Sequence, residues 1–242
     1  DVASWDSPGP AQDLRRAAAA LPAAPATVDL RRLGFLGIVG EPAARARLAH
    51  AMWIECAVLH WPSEVRMSIL AGAGASAGWE DLRAIPHSDL GGERGAGPAA
   101  HEALAALLSL VERRAEAANS HAGSPTPAIP ALPAHFVVIT PGSFGLERQD
   151  LDRLLEAGPG CGVFGVVLDE RIEDLPQGCG AIAVCSRDQV EIIDCRQSGV
   201  RQFLRPDDVD PRQARSLAGL LRHAGLPRPE PPHRLPEVIH LL

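Results

Sequence analysis

Lysine is missing from this chain: all 23 of its Lys+Arg residues are arginine. Chemistry that needs a lysine is thereby excluded: Schiff bases, a lysine general base and the phosphate-reaching lysine of a P-loop. Tyrosine is absent too, and aromatic residues make up only 4%. Long apolar runs are lacking. The longest, around Met52–Leu59 and Val163–Leu168, fall far short of the ~20 residues of a membrane span. Cysteine is sparse, with five residues, an odd number and no CxxC pair. This favours reduced thiols in a core over a disulfide frame or a zinc site. Positive charge is not in excess either. The net charge of −7 gives no overall attraction to nucleic acid or an anionic membrane. Asp1–Pro10 is polar and no apolar segment follows it, so no signal peptide is expected. No two of the nine histidines stand at i,i+4 around a glutamate, so no metal is expected.

What remains is ordinary soluble material. The 242 residues are 46% apolar and 22% charged, enough for a sizeable core in one large or two small domains. The alanine-rich, arginine-for-lysine bias suggests a GC-rich genome. Residues 1–32 read as a lead-in in which Thr27–Leu30 forms a short edge strand. Phe35–Val39, flanked by Gly34 and Gly40, reads as a buried strand. Pro42 suits the first position of a helix that runs over Ala43–His60 until Pro62. Val65–Leu70 is the next strand, with a Gly/Ala loop at 71–78 and a short helix at Trp79–Ala84. Ala99–Ala118 is a long helix with Leu104, Leu107, Leu108 and Val111 on one stripe. The segment His121–Ala134 carries four prolines and no periodicity. Strand Phe136–Thr140, helix Glu147–Ala157, and strands Val163–Leu168, Ala181–Cys185 and Gln189–Asp194 follow. Helix Pro211–His223 closes the pattern. Buried strands alternating with helices predict a mostly parallel α/β sheet.

In such sheets ligands bind at the carboxyl ends of strands, and a glycine-ended strand feeding a helix is the usual phosphate cradle. Phe35–Gly40 before Pro42 has that shape. Counting G-x-x-x-x-G-K-[ST] from Gly40 puts Arg45 at the second glycine, Ala46 at the lysine and Arg47 at the Ser/Thr. Nothing in that set holds Mg²⁺ or neutralises a γ-phosphate. Read as a dinucleotide fingerprint, Gly34, Gly37 and Gly40 have the wrong spacing, and the acidic residue that follows, Glu55, lies on the helix.

Several pieces, in order, resemble the FtsK/SpoIIIE motor family. They are strand Gly34–Gly40 with its helix ending His60-Trp61-Pro62, the strand Val65–Leu70, and the segment Trp79–His87. The helix ending Val111-Glu112-Arg113-Arg114, the strand Gly162–Val167 and the tail Leu235-Pro236-Glu237-Val238 complete the set, over about residues 27–242. The subgroup it is most similar to is the EccC-like ATPases of type VII secretion in actinobacteria. The resemblance implies a RecA-like P-loop NTPase fold with a small C-terminal β/α extension. It implies a motor-type domain over 33–225 and a Pro-rich linker over 226–242 leading to a following domain.

The resemblance also implies an acidic Walker B pair after the strand Phe136–Ile139, where this chain has Thr140 and Pro141. Proline cannot act as a base, and a hydroxyl is a poor substitute for a carboxylate at Mg²⁺. The expectation is therefore a degenerate ATPase domain, structural or regulatory in role, with ATP held without hydrolysis, if at all, and no Mg²⁺. Asp169-Glu170, after Val166-Val167-Leu168, formally matches a Walker B pattern and is the other candidate. Gly40, Arg45, Arg47, Asp169 and Glu170 are thus the candidate nucleotide or anion contacts. Implied partners are neighbouring FtsK-like domains of one parent chain, a ring oligomer, and a secreted protein or double-stranded DNA as cargo. The implied location is cytoplasmic, membrane-associated through the parent. An active ATP-dependent DNA translocase and a pure protein-interaction module are the alternative functions.

Other residues have plainer readings. Gly142-Ser143-Phe144-Gly145 lacks the first glycine of a nucleophile elbow and reads as a turn. His50 and His60 read as core-edge or surface residues, His87 as a turn residue under Trp79, and Trp53 and Trp61 as core or interface anchors. Arg196, Arg201 and Arg205 make a modestly basic run without an aromatic ladder.

Overall fold

The computed structural model describes residues 27–71, 79, 81–88, 98–121, 132–140, 148–196, 201–206 and 209–223. The described elements follow in chain order: α1 (Leu30–Leu33), β1 (Phe35–Gly40), α2 (Pro42–Leu59), β2 (Val65–Ala71), α3 (Pro98–His121), β3 (Ala134–Thr140), α4 (Arg148–Ala157), β4 (Val163–Leu168), β5 (Cys179–Cys185), β6 (Val190–Asp194), β7 (Arg201–Leu204) and α5 (Pro211–His223). Short 3₁₀ turns lie at Asp81–Ala84, Pro159–Cys161 and Ile172–Asp174. The seven strands form one sheet in the order β2-β3-β4-β1-β5-β6-β7. From β2 to β5 neighbours run parallel, and β6 and β7 are added antiparallel. The predicted α/β architecture, mostly parallel with a small C-terminal β/α extension, is the one found.

β1 is central because its sequence offers no polar side chain to solvent, and every residue up to Val39 is buried. Its alternation feeds two cores. Leu36 and Ile38 join Met67, Ile69, Phe136, Val138, Val166 and Leu168 on one face, under α2 and α5. Phe35 and Val39 join Leu70, Val137, Ile139, Val163 and Val167 on the other, under α3 and α4. α3 presents Leu104, Leu107 and Val111 to that face, and α4 presents Leu151, Leu154 and Leu155. These are the i, i+3, i+4 and i+7 spacings of a helix stripe. Arg114, at the polar end of α3, donates to the carbonyls of Cys161 (2.8 Å) and Pro133 (2.7 Å), pinning α3 to the entries of β3 and β4.

One expectation is corrected. Thr27–Leu30 is not an edge strand. The Asp29 carboxylate accepts from the N–H groups of Arg31 (3.0 Å) and Arg32 (3.3 Å), which starts the helical turn α1 and leaves Leu33 in the core. The basic run Arg196–Arg205 contains the edge strand β7, and two of its arginines, Arg196 and Arg201, are engaged. Arg196 donates to the carbonyls of Arg32 and Leu33, and Arg201 pairs with Glu191 at 2.8 Å. The lead-in before Thr27, the loop 72–78, the turn 142–145 and the tail with Leu235–Val238 lie outside the described residues.

Candidate functional site

The carboxyl ends of β1, β4, β3 and β5 converge on the candidate residues. Register fixes their order across the sheet: Ile38 pairs with Leu168, Ile139 with Val167, and Gly40 with Cys185. Gly40 therefore ends β1, Asp169 follows the adjacent β4, and Thr140 ends β3 two strand spacings away, roughly 10 Å. Pro141 lies outside the described residues.

Gly40 is held at φ +107°, and a Cβ there would stand 2.2 Å from the carbonyl oxygen of Cys185. No other residue type fits without moving β5. Glu41 donates its N–H to that same carbonyl at 3.0 Å. Pro42 already occupies the first turn of α2, and Arg45 N–H donates to Glu41 O at 2.9 Å. The connection from strand to helix is thus the single residue Glu41. Arg45, Ala46 and Arg47 stand in the opening turns of α2 instead of along a loop.

Both arginines donate to backbone carbonyls. The Arg45 guanidinium donates to the carbonyl of Asp169, tying α2 to the end of β4. Arg47 donates to the carbonyl of Arg187 at 3.1 Å, tying α2 to the β5–β6 turn. The Asp169 carboxylate accepts from Glu170 N–H at 2.8 Å, while Asp169 N–H reaches Ile38 O at 3.0 Å. Glu170 is exposed. Thr140 is buried, and its hydroxyl donates to Leu70 O at 3.4 Å, sideways into the sheet. Cys185, beside Gly40, is buried and its thiol is pushed up to about 11, with Arg45 opposing the shift. Gly34 and Gly37 do not join the site: Gly34 caps α1, and Gly37 lies mid-strand against Leu175.

A polar pair that the sequence did not single out lies elsewhere. Ser68 Oγ and His135 Nε2 lie 2.8 Å apart, both buried. Strand alternation puts them on the α3 side of the sheet. His50, expected at an edge, is 2% exposed. It meets Trp79 edge-on with ring centroids 4.4 Å apart. Burial lowers its pKa to about 4. His87 is buried too and hydrogen-bonds His60 O at 2.7 Å, while Trp53 donates to Leu82 O at 3.3 Å. This sutures the segment Trp79–His87 onto α2, away from Gly40. Burial lowers the His87 pKa, and the bond to His60 opposes that. A cavity of about 400 Å³ lies beside α1 and β5–β7, lined by residues including Asp29, Arg32, Asp194 and Gln202. None of the candidate nucleotide contacts lines it.

No protein-family profile matches the chain, and no curated protein does. Solved structures do. ATPases 2 and 3 of EccC from Thermomonospora curvata, in complex with a signal sequence peptide, match with a TM-score of 0.58 at 16% identity over 86% of this chain and 46% of that one. ATPases 2 and 3 of EssC from Geobacillus thermodenitrificans match with a TM-score of 0.53 at 15% identity over 86% of this chain and 47% of that one. The cytoplasmic domain of the T. curvata type VII secretion ATPase EccC matches with a TM-score of 0.58 at 17% identity over 81% of this chain and 28% of that one. The chain spans less than half the length of each. At such identities the likeness is one of fold, and that fold is the RecA-like P-loop architecture. Among the described residues no helix is long and apolar enough to cross a membrane, and no three His, Cys, Asp or Glu side chains are grouped to hold a metal.

Proposed function

We propose that the chain is a catalytically degenerate RecA-like domain of an EccC/EssC-like translocation motor, with a structural or regulatory role. The observation that carries this is the make-up of the two hydrolytic positions. Ala46 stands where a P-loop lysine would be, and Thr140, buried with its hydroxyl on Leu70 O, stands where Mg²⁺ would need a carboxylate. A lysine-free chain supplies no substitute from elsewhere in its sequence. The likeness to secretion ATPase domains supports the motor context, with 33–225 as the motor-type domain and 226–242 as a linker. In that context the partners are neighbouring motor domains of one parent chain in a ring, the cargo is a secreted protein, and the location is the cytoplasmic side of a membrane.

Phosphate release from ATP and Mg²⁺ by the full chain tests the proposal. The expected rate equals that of buffer. Turnover that is abolished by Glu170→Ala would show that Asp169-Glu170 is a working acidic pair and would overturn it.

A further inference from the structure

We infer that the β1–α2 junction excludes nucleotide altogether, so that this domain has lost the binding step as well as the hydrolytic one. This rests on the reading above and goes one step further. A phosphate-cradling loop works through a run of backbone N–H groups that converge on the anion, backed by the positive end of a helix. Such a run needs several residues between strand and helix, and this chain has one, Glu41. Its N–H is committed to Cys185 O at 3.0 Å. The next residue, Pro42, has no N–H at all. The exposed Glu41 has no capping bond from its side chain and brings a carboxylate to the helix N-terminus, where an incoming phosphate would meet like charge.

The space is closed as well. A Cβ on Gly40 would already collide with Cys185 O at 2.2 Å, so β5 lies directly against the point where a cradle would have to open. Arg45 and Arg47, the remaining cations, tether α2 to Asp169 O and Arg187 O on either side. The ATP and Mg²⁺ that the fold implies therefore do not fit the residues present. Ala46→Lys would set an ammonium on the surface of a helix that has no cradle beneath it, so a point substitution cannot revive the site.

Amide hydrogen exchange of the full chain, with and without millimolar ATP and Mg²⁺, reads the junction directly. The expected result is unchanged exchange across Ile38–Leu48, and no rise in melting temperature with ATP or ADP, for the natural chain and for Ala46→Lys alike. Protection of Glu41, Ala43 or Ala44 amides by ATP would overturn the inference. Protection without phosphate release would do so while leaving the degenerate-motor proposal standing. Protection with phosphate release would remove both.

Discussion

Acid should weaken this domain chiefly through His50. Both of its ring nitrogens are buried without a hydrogen-bond partner, and its ring meets that of Trp79 in a T-shaped contact. Burial lowers the imidazole pKa from 6.5 to about 4. The folded state thus holds His50 neutral at a pH where the unfolded chain has taken up a proton. Stability from this group is fully present above pH 6.5 and drains away as pH falls towards about 4. A gap of about 2.5 units at ~1.36 kcal/mol each amounts to about 3 kcal/mol, a large share of the ~5–15 kcal/mol that holds a typical domain. His87 is shifted in the same direction by its own burial and adds to the slope. His50→Leu removes the titration at similar volume. It also removes two orphaned polar atoms, so at neutral pH it should be about 1 kcal/mol more stable than the natural chain. Urea unfolding followed by tryptophan emission at several pH values between 7.5 and 4.5 measures both effects. The natural chain should lose midpoint steeply across that window, and His50→Leu should lose much less. Parallel curves for the two proteins would refute the reasoning.

Other substitutions probe the backbone contacts. Gly40→Ala and Gly165→Ala would thrust a Cβ to 2.2 Å from Cys185 O and 2.1 Å from Val137 O, whereas at Gly37 the obstacle is the end of the Leu175 side chain, 2.5 Å away. The first two should cost about 3 kcal/mol or more in urea unfolding and Gly37→Ala about 1–2 kcal/mol, because a side chain can turn aside and a strand cannot. Equal costs would contradict that ranking. Arg114→Met keeps the aliphatic stem but strips the donors from Cys161 O and Pro133 O. It should cost about 2 kcal/mol by the same measurement, with Arg114→Lys recovering only part of it.

Most of the layering was legible in the chain. The apolar run Val163–Leu168 and the helix Pro211–His223 were bounded to the residue, since turn and proline signals bracket both. Errors arose where one short contact decides. Thr27-Val28-Asp29-Leu30 reads as β-branched and apolar, yet a carboxylate satisfying two N–H groups turns it into α1. β7, with Arg201 and Gln202 on an exposed edge, carries none of the alternation that marks a half-buried strand. The burial of His50 is not legible because the few polar residues of α2 do not gather on one side, so the sequence does not mark which side the sheet, α5 and Trp79 cover. The candidate site was legible in its residue types and its spacing but not in its contacts. A glycine-ended strand, a proline-led helix and the single Glu41 between them were visible, whereas the bonds of Glu41 N–H to Cys185 O and of Arg45 and Arg47 to distant carbonyls were not.

The place of β1 in the sheet has a consequence for how the protein is made. Its two neighbours are β4 and β5, and Phe35 aligns with Gly165 on one side and Cys179 on the other. The central strand therefore leaves the ribosome well over a hundred residues before either flank exists, with both ladder edges open. During that interval the first cover available to Leu36 and Ile38 is α2, the helix synthesised just after them. β5, β6 and β7 follow one another as antiparallel neighbours. They can pair as soon as they emerge. β5–β7 thus reach, as a preassembled hairpin unit, a strand that has waited for them. A chain stopped anywhere before β4 would carry that waiting strand as an unpaired edge, open to any other extended segment it met.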